Sequence, residues 1–265
     1  MVEAAAKEAP GRGGGPRPPA GGPRFALRFE DGRGRLALSQ PFRFALGTID
    51  ALELDLGPLR FPLDLSAGPR RFRTRRTRVR ACRMRVDVPA LVAAAVEEPH
   101  ALRPLAPARH GLAWALRDAF GTVAFETRAK AEGPDLWVGI AEARAAAEGP
   151  APPLVRVHVA ARAIGLDVDE ERGVLRAPRL ISTLLAEALV PHGWRVPDDR
   201  ASRLGIEVLG PRRVAVRTLD AGEAEGAVDD PIWERARRLA PVTRALGAGD
   251  ADEARRRWRA LRERS

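Results

Sequence analysis

The sequence predicts an α+β protein that is mostly antiparallel β, with a curved, bulged sheet, two packed helices and a C-terminal helical hairpin. Three observations predict this class. Many short segments alternate apolar and polar residues, which is the period of a half-buried strand. Turn signals such as Asp31-Gly32 separate these segments. Helical spacing of apolar residues is confined to a few stretches, and two of these end the chain.

The composition excludes several classes of protein. The 265 residues are enough for one large or two small domains. No apolar run approaches the ~20 residues of a membrane-spanning helix, and a single cysteine, Cys82, excludes an internal disulfide framework. Basic residues outnumber acidic ones by 45 to 35, yet only Lys7 and Lys130 are lysines. This arginine bias is typical of a GC-rich genome, so arginine in place of lysine is not by itself a sign of phosphate recognition.

Three regions differ in composition. Residues 1–23 are mostly Gly, Pro and Ala with little to bury, which predicts a disordered tail. Residues 24–220 are predicted to form the curved β domain with its embedded helices, and residues 228–265 the basic helical hairpin. No apolar h-region follows Met1, so we expect a protein that is cytoplasmic or peripheral to the inner membrane, unless an upstream start adds a targeting segment.

The first strands are predicted from strict alternation. Apolar residues recur at every second position over 25–29 and 36–38 around Asp31-Gly32, which indicates a hairpin. The same alternation over 52–56 predicts a further half-buried strand.

Residues 71–88 are predicted to form one long, bulged strand. The alternation changes phase at Arg75-Arg76 and again at Ala81-Cys82. Each change would turn the side chains to the wrong face unless a bulge absorbs one residue. Cys82 falls on the apolar face of this strand, where a cysteine behaves as a small hydrophobic residue.

The remaining elements follow from the spacing of apolar residues and from turn signals. Alternating valines at 155, 157 and 159 predict a strand, in which His158 would be exposed. In chain order, the predictions are a helix at 89–98, strands at 111–118, 121–130 and 135–145, the strand beginning at 155, a hairpin turn at 169–173, a helix at 179–190, strands at 205–209 and 214–219, and two helices from 229 onward.

Signals for catalysis are weak. The histidines are far apart in sequence and form no metal-binding or catalytic pattern: His100, His110, His158 and His192. The chain has no Gly-x-Ser-x-Gly elbow and no phosphate-binding glycine loop between a strand and a helix. The acidic residues at 167–171 lack the glycine and flanking helices of a calcium loop, and fit a solvated turn. We therefore expect no enzymatic activity, no cofactor and no metal.

A run of arginines is the main chemical feature. Nine arginines lie between residues 70 and 85 with no acidic residue among them. On a strand, most would share one face and could hold phosphates of anionic lipids or of nucleic acid. The alternative is a solvated edge strand that is arginine-rich through genome bias. The candidates for binding an anionic surface are Arg71, Arg73, Arg76, Arg78, Arg80, Arg83 and Arg85.

The order of these segments resembles the tubular lipid-binding (TULIP) superfamily, in particular its bacterial phospholipid-binding members. The matching positions are Ile49, Leu52, Leu54, Phe61-Pro62 and the alternation over 72–88, and the resemblance extends over about residues 24–220. It implies a curved sheet wrapped around a helix, with acyl chains held in an apolar groove and no catalysis. The chain departs from the family in its C-terminal hairpin and in showing no export signal.

We therefore expect non-enzymatic binding of a lipid or another long apolar ligand, with the arginines attracting the protein to anionic membrane surfaces. The alternative is a nucleic-acid-binding module that uses the same arginines. The inward positions of the sheet either line a ligand groove or close as a core, and the sequence leaves both open. The candidate groove residues are Leu52, Leu54, Phe61, Phe72, Val79, Met84 and Val86.

The last helix has a narrow apolar face of Ala254, Trp258 and Leu261 among several arginines. A short isolated helix is marginal in water, so it needs a surface to fold against. That surface is either the preceding helix or an anionic bilayer.

Overall fold

The structure is a computed structural model, and it confirms the predicted class of a mostly antiparallel α+β protein. Within the described residues it contains two antiparallel sheets and five α-helices. The described residues are 21–30, 32–59, 68–98, 101–108, 111–169, 174–210, 212–223 and 230–263. Most of the predicted tail at 1–23 and of the predicted hairpin turn at 169–173 lies outside these ranges.

The strands and helices are named in chain order. The strands are β1 (Phe25–Glu30), β2 (Arg33–Leu38), β3 (Phe42–Phe44), β4 (Gly47–Pro58), β5 (Arg78–Asp87), β6 (Leu102–Ala108), β7 (Gly111–Asp118), β8 (Gly121–Glu132), β9 (Asp135–Ala145), β10 (Val168–Asp169), β11 (Val174–Ala177), β12 (Leu204–Gly210) and β13 (Arg213–Thr218). The helices are α1 (Val88–Ala95), α2 (Pro153–Ala163), α3 (Leu180–Leu189), α4 (Asp230–Gly247) and α5 (Ala251–Glu263). Short 3₁₀ helices occupy Gly68–Phe72 and Val190–His192.

The strands form two sheets, named A and B. Sheet A has the order β1-β2-β4-β5-β13-β12, with β3 also paired to β4. Sheet B has the order β10-β11-β9-β8-β7-β6. The hairpin predicted around Asp31-Gly32 is β1-β2, where Gly32 adopts a positive φ of 69°.

The long strand predicted over 71–88 is partly wrong. Strand β5 begins only at Arg78, because residues 68–72 form a 3₁₀ helix and a turn follows it. The phase change at Arg75-Arg76 therefore reflects this turn. The predicted bulge further along is present: Leu54 of β4 lies opposite Val79 while Glu53 lies opposite Ala81, so Arg80 has no cross-strand partner.

The inner face of sheet A packs against α3, and this interior is named the sheet A core. Helix α3 turns one apolar side toward the sheet, and the buried residues there include Ile181, Leu184, Leu185 and Leu189. The apolar residues at alternate positions of β4 and β5 form the opposite side of this core. The predicted helix over 179–190 thus supplies the cover that a half-buried sheet requires.

Helix α2 corrects a wrong prediction. The valines at 155, 157 and 159 suggested a strand, but Pro153–Ala163 is helical. This helix packs against sheet B and against α4, so it is buried on nearly all sides and shows no polar face. Its buried residues are Leu154, Val155, Arg156, Val157, His158 and Ala161. A helix covered in this way loses the 3.6-residue polarity pattern.

His158 is therefore buried within α2, and the prediction of an exposed strand histidine is wrong. Its side chain lies in the interior, and neither ring nitrogen has a hydrogen-bond partner among the described residues. Burial lowers the pKa of His158 from 6.5 to about 4, because a charged imidazolium is poorly solvated in the interior.

A buried ion pair joins α2 to the end of β7. Arg156 donates from Nε to Asp118 Oδ2 at 2.9 Å and from Nη2 to Asp118 Oδ1 at 2.8 Å. Its Nη1 donates to the Ala147 carbonyl oxygen at 3.2 Å, and its guanidinium lies 5.7 Å from the Phe120 ring centroid. Such a pair persists in the interior because its hydrogen bonds replace those lost to water.

The C-terminal helices α4 and α5 are adjacent, as a hairpin requires. Leu239 and Val242 of α4 are buried in the same apolar cluster as sheet B, together with Ala254 of α5. Trp258 and Leu261 pack against that cluster, so the apolar face of α5 packs against other parts of the same chain. None of the helices in the described residues is long and apolar enough to cross a membrane.

We expect Arg156→Met to lower the free energy of unfolding by about 3 kcal/mol, because it leaves the Asp118 carboxylate buried without its partner. Urea denaturation measures this change. The matched control is Arg144→Met, which removes an arginine whose pair with Glu142 is exposed on both sides (83% and 58%). That variant should change the free energy by less than ~0.5 kcal/mol, and similar losses in both variants would contradict the assignment.

We expect His158→Leu to raise the free energy of unfolding at neutral pH by about 1 kcal/mol, because it removes two buried nitrogens that lack partners among the described residues. In the wild type, the pKa of His158 is 6.5 in the unfolded chain and about 4 in the folded chain. Native stability should therefore fall as the pH decreases from 6.5 to about 4. His158→Leu should flatten this part of the stability profile, and identical profiles for the two proteins would contradict the prediction.

Candidate anion-binding cleft

A cleft of about 670 Å³ opens beside the start of β5. It is named the arginine cleft. Side chains from four parts of the chain line it: the β2–β4 end of sheet A, the residues at the start of β5, the residue before α3, and the segment 195–200. Its arginines are Arg33, Arg76, Arg78, Arg179, Arg195 and Arg200, and its acidic residues are Asp55 and Asp198.

The segment 195–198 is fixed in place by backbone pairing. Arg195 N donates to the Arg73 carbonyl oxygen at 2.7 Å, and Asp198 N donates to the Thr77 carbonyl oxygen at 2.8 Å. Val79 N in turn donates to the Asp198 carbonyl oxygen at 2.8 Å. This pairing places Arg195 and Asp198 alongside the residues that lead into β5, although more than a hundred positions separate the two segments in sequence.

Asp55 lines one side of the cleft and binds Arg33. Arg33 Nη2 donates to Asp55 Oδ2 at 2.6 Å, and Gly57 N donates to Asp55 Oδ1 at 2.7 Å. Gly57 accommodates this turn with a φ of 71°. Partial burial acts to raise the pKa of Asp55, but the hydrogen bonds from Arg33 and Gly57 outweigh it, so the pKa lies below its ordinary value. The carboxylate is therefore ionised at neutral pH and keeps the Arg33 guanidinium in place.

Arg179 is held by a network at the start of α3. It has a φ of 49°, which is uncommon for a residue other than glycine. Its backbone N–H donates to Asp135 Oδ1 at 2.8 Å, and its Nε donates to Asp199 Oδ1 at 3.0 Å. Its Nη2 donates to Asp198 Oδ1 at 3.0 Å. Asp199 is buried and also accepts the Ser182 N–H at 2.8 Å, so one carboxylate both caps α3 and orients Arg179.

The charge of the cleft is unbalanced. Among the lining residues, six guanidinium groups face two carboxylates, a formal surplus of four positive charges, and the buried Asp199 that pairs with Arg179 offsets one of them. Within the part of the chain that the structure describes, Arg76, Arg78 and Arg195 are exposed and have no ion pair. Arg200 reaches Asp198 only at 3.8 Å. Counting only partners in the described ranges, the cleft therefore presents several N–H donors that are available to an incoming anion.

The predicted arginine run does not form one stripe. Only Arg76 and Arg78 of the seven candidates line the cleft. Arg80 and Arg85 pair with Glu53 and Asp50 of β4, at 3.5 Å and 2.6 Å. These carboxylates neutralise part of the positive charge on the outer face of sheet A.

The other three candidates lie elsewhere. Arg83 is exposed on β5, opposite Arg217 of β13. Arg71 belongs to the 3₁₀ helix, and the Arg73 guanidinium lies 5.6 Å from the Trp194 ring centroid. Arg71 and Arg73 therefore precede the strand on which they were predicted to lie.

The candidate groove residues share one place in the structure. Those within the described residues belong to the sheet A core and are less than 10% exposed. They are Leu52, Leu54, Phe72, Val79, Met84 and Val86. Phe61 lies outside the described residues. The side chains that were expected to line a groove are thus packed together with α3.

Cys82 lies in the same core, on the apolar face of β5 beside Met84, as predicted. Burial, with a smaller contribution from the negative charge of Asp199, raises the pKa of the Cys82 thiol to about 12. The thiol is therefore protonated at neutral pH.

Four cleft arginines were not among the sequence candidates: Arg33, Arg179, Arg195 and Arg200. They are scattered over three segments and belong to no arginine run, so local sequence gives no signal for them. Arg33 lies in a hairpin and Arg179 before a helix, and their common surroundings arise only from the fold.

Comparison with known proteins gives no match to this chain among protein-family models, curated proteins or solved structures. The resemblance to the tubular lipid-binding superfamily therefore stays a prediction from the sequence. The charge and shape of the arginine cleft are the features of this chain that best indicate a function.

Proposed function

We propose that the protein binds a phosphate-bearing ligand in the arginine cleft and acts as a binding protein. The observation that carries this proposal is the surplus of positive charge among the side chains that line one concave site. The planar guanidinium group donates two parallel hydrogen bonds to a phosphate. Several such groups around one cleft also raise the local concentration of anions.

The position of these arginines supports the proposal more strongly than their number. Arginine is abundant throughout this chain, so a high local count alone has little weight. The cleft residues, however, come from segments as distant as Arg33 and Arg200 and converge on one cavity. Some arginines on the outer face of sheet A are paired with carboxylates, as Arg85 is with Asp50, whereas Arg76, Arg78 and Arg195 lie together in one cavity and have no ion pair among the described residues.

Two kinds of ligand that the sequence suggested carry this chemistry. An anionic lipid headgroup and a nucleic-acid backbone both present phosphates. In both kinds of ligand the phosphate can contact the arginines even if the protein has no open apolar groove. The binding of an acyl chain by the sheet A core stays a prediction.

We expect Arg76→Ala to weaken binding to phosphate-bearing probes about tenfold, because a charge-assisted hydrogen bond is lost. Two probes suffice: a short single-stranded oligonucleotide, and vesicles that contain phosphatidylglycerol compared with phosphatidylcholine vesicles. Fluorescence anisotropy and vesicle co-sedimentation measure the affinities, which should fall steeply with salt.

Arg259→Ala on α5 is the matched control, since Arg259 is exposed and does not line the cleft. It removes the same charge and should leave both affinities within about twofold of the wild type. Equal losses in Arg76→Ala and Arg259→Ala would show that binding follows net charge alone and would contradict a specific cleft.

Native mass spectrometry after gentle purification distinguishes the two ligand classes. A co-purifying phospholipid that is lost in Arg76→Ala would support a headgroup ligand. A ligand-free mass, together with salt-dependent oligonucleotide binding that Arg76→Ala weakens, would support nucleic acid.

A further inference from the structure

The arginine cleft is concave and partly open to solvent. Its volume of about 670 Å³ falls within the range of sites for discrete small ligands, about 300–1,000 Å³. The cationic side chains meet around this volume rather than along a row, because they come from four separate segments. Such an arrangement suits a compact group with several anionic oxygens better than an extended chain of single phosphates.

We infer that the cleft takes a compact oligophosphate, that is, a diphosphate or triphosphate group, and this inference rests on the function proposed above. A phosphate monoester carries about 1.5 to 2 negative charges at pH 7. It would neutralise only part of the surplus positive charge, which is about three once Asp199 is counted against the lining residues. Each additional phosphoryl group brings at least one more ionised oxygen, so a condensed phosphate matches the cleft more closely.

The donors are arranged for more than one phosphoryl group. Arg76 and Arg78 lead into β5, and the backbone pairing of Arg73 with Arg195 and of Thr77 with Asp198 fixes a second segment beside them. Three guanidinium groups without an ion pair among the described residues are thereby held on two adjoining segments. Because each guanidinium has a fork of N–H donors, neighbouring phosphoryl groups can each be bound by a separate arginine.

Arg33 and Arg179 are held in position before a ligand arrives. Asp55 fixes Arg33, and Asp199 fixes Arg179 through Nε. The positive φ of Arg179 persists because the Asp135 and Asp199 carboxylates hold its backbone and side chain. Donors held in this way lose little freedom when they bind an anion.

Asp198 is the acidic residue that competes with the ligand. Its side chain is 44% exposed, and it accepts from Arg179 Nη2 at 3.0 Å and from Arg200 N at 3.2 Å. An incoming phosphate must share these donors with the carboxylate and is repelled by its charge. Replacing this carboxylate with an amide should therefore strengthen binding.

Isothermal titration calorimetry on the full chain tests the inference. The probes are inorganic phosphate, pyrophosphate and tripolyphosphate in magnesium-free buffer at constant ionic strength, with citrate as a multivalent anion that contains no phosphate. We expect the affinity to rise about tenfold or more from phosphate to tripolyphosphate, and tripolyphosphate to bind more tightly than citrate.

Three variants locate the binding. Residue 195 lies outside the helices and strands, so its substitution should not disturb them. Arg195→Ala should weaken tripolyphosphate binding about tenfold. Asp198→Asn should strengthen it roughly fivefold. Arg259→Ala should leave it within about twofold of the wild type, and circular dichroism checks that each variant is folded.

The outcomes separate the inference from the proposed function. Equal affinity for phosphate, tripolyphosphate and citrate would overturn the oligophosphate inference. If Arg76→Ala and Arg195→Ala still weakened binding to the oligonucleotide or the anionic vesicles, the proposed function would stand. If neither variant affected any phosphate-bearing probe, both would fail.

Discussion

The arginine cleft depends on one buried carboxylate. Asp199 lies in the interior, where an ionised carboxylate is stable only if it is paired and hydrogen-bonded. It accepts from Arg179 Nε at 3.0 Å and from the Ser182 N–H at 2.8 Å. These two bonds join the start of α3 to the segment that runs beside β5. The helix that covers the sheet A core and the cationic cleft at its edge are therefore parts of the same arrangement.

Arginine has three different roles in this protein, and its surroundings decide which. Arg156 is buried with Asp118 and links α2 to sheet B. Arg85 is half-exposed and is neutralised by Asp50 on the outer face of sheet A. Arg78, only a few residues earlier in the same strand, lines the cleft without an ion pair among the described residues. A high arginine content thus says little about function until the neighbours of each guanidinium are known.

The two sheets are covered in different ways. Sheet A is covered by α3, whose polar and apolar faces are distinct in sequence because one side of the helix meets water. Sheet B is covered by α2, which is itself enclosed by α4. Because α2 is enclosed, Arg156 and His158 are buried, and burial affects the two side chains differently. Arg156 keeps its charge by pairing with Asp118, whereas burial lowers the pKa of His158 to about 4.

The sequence by itself determined the elements that have one solvent-exposed face and one buried face. Strands β1, β2, β4 and β7–β9 and helix α3 follow from their alternation or helical spacing, since exposure to water imposes that pattern on composition. Only the tertiary structure decided that α2 is a helix, because burial on nearly all sides removes the pattern. It also decided the cleft: of its six arginines, the sequence singled out Arg76 and Arg78. The others join them through backbone pairing and through bonds to carboxylate side chains between segments far apart in the chain, which no local spacing records.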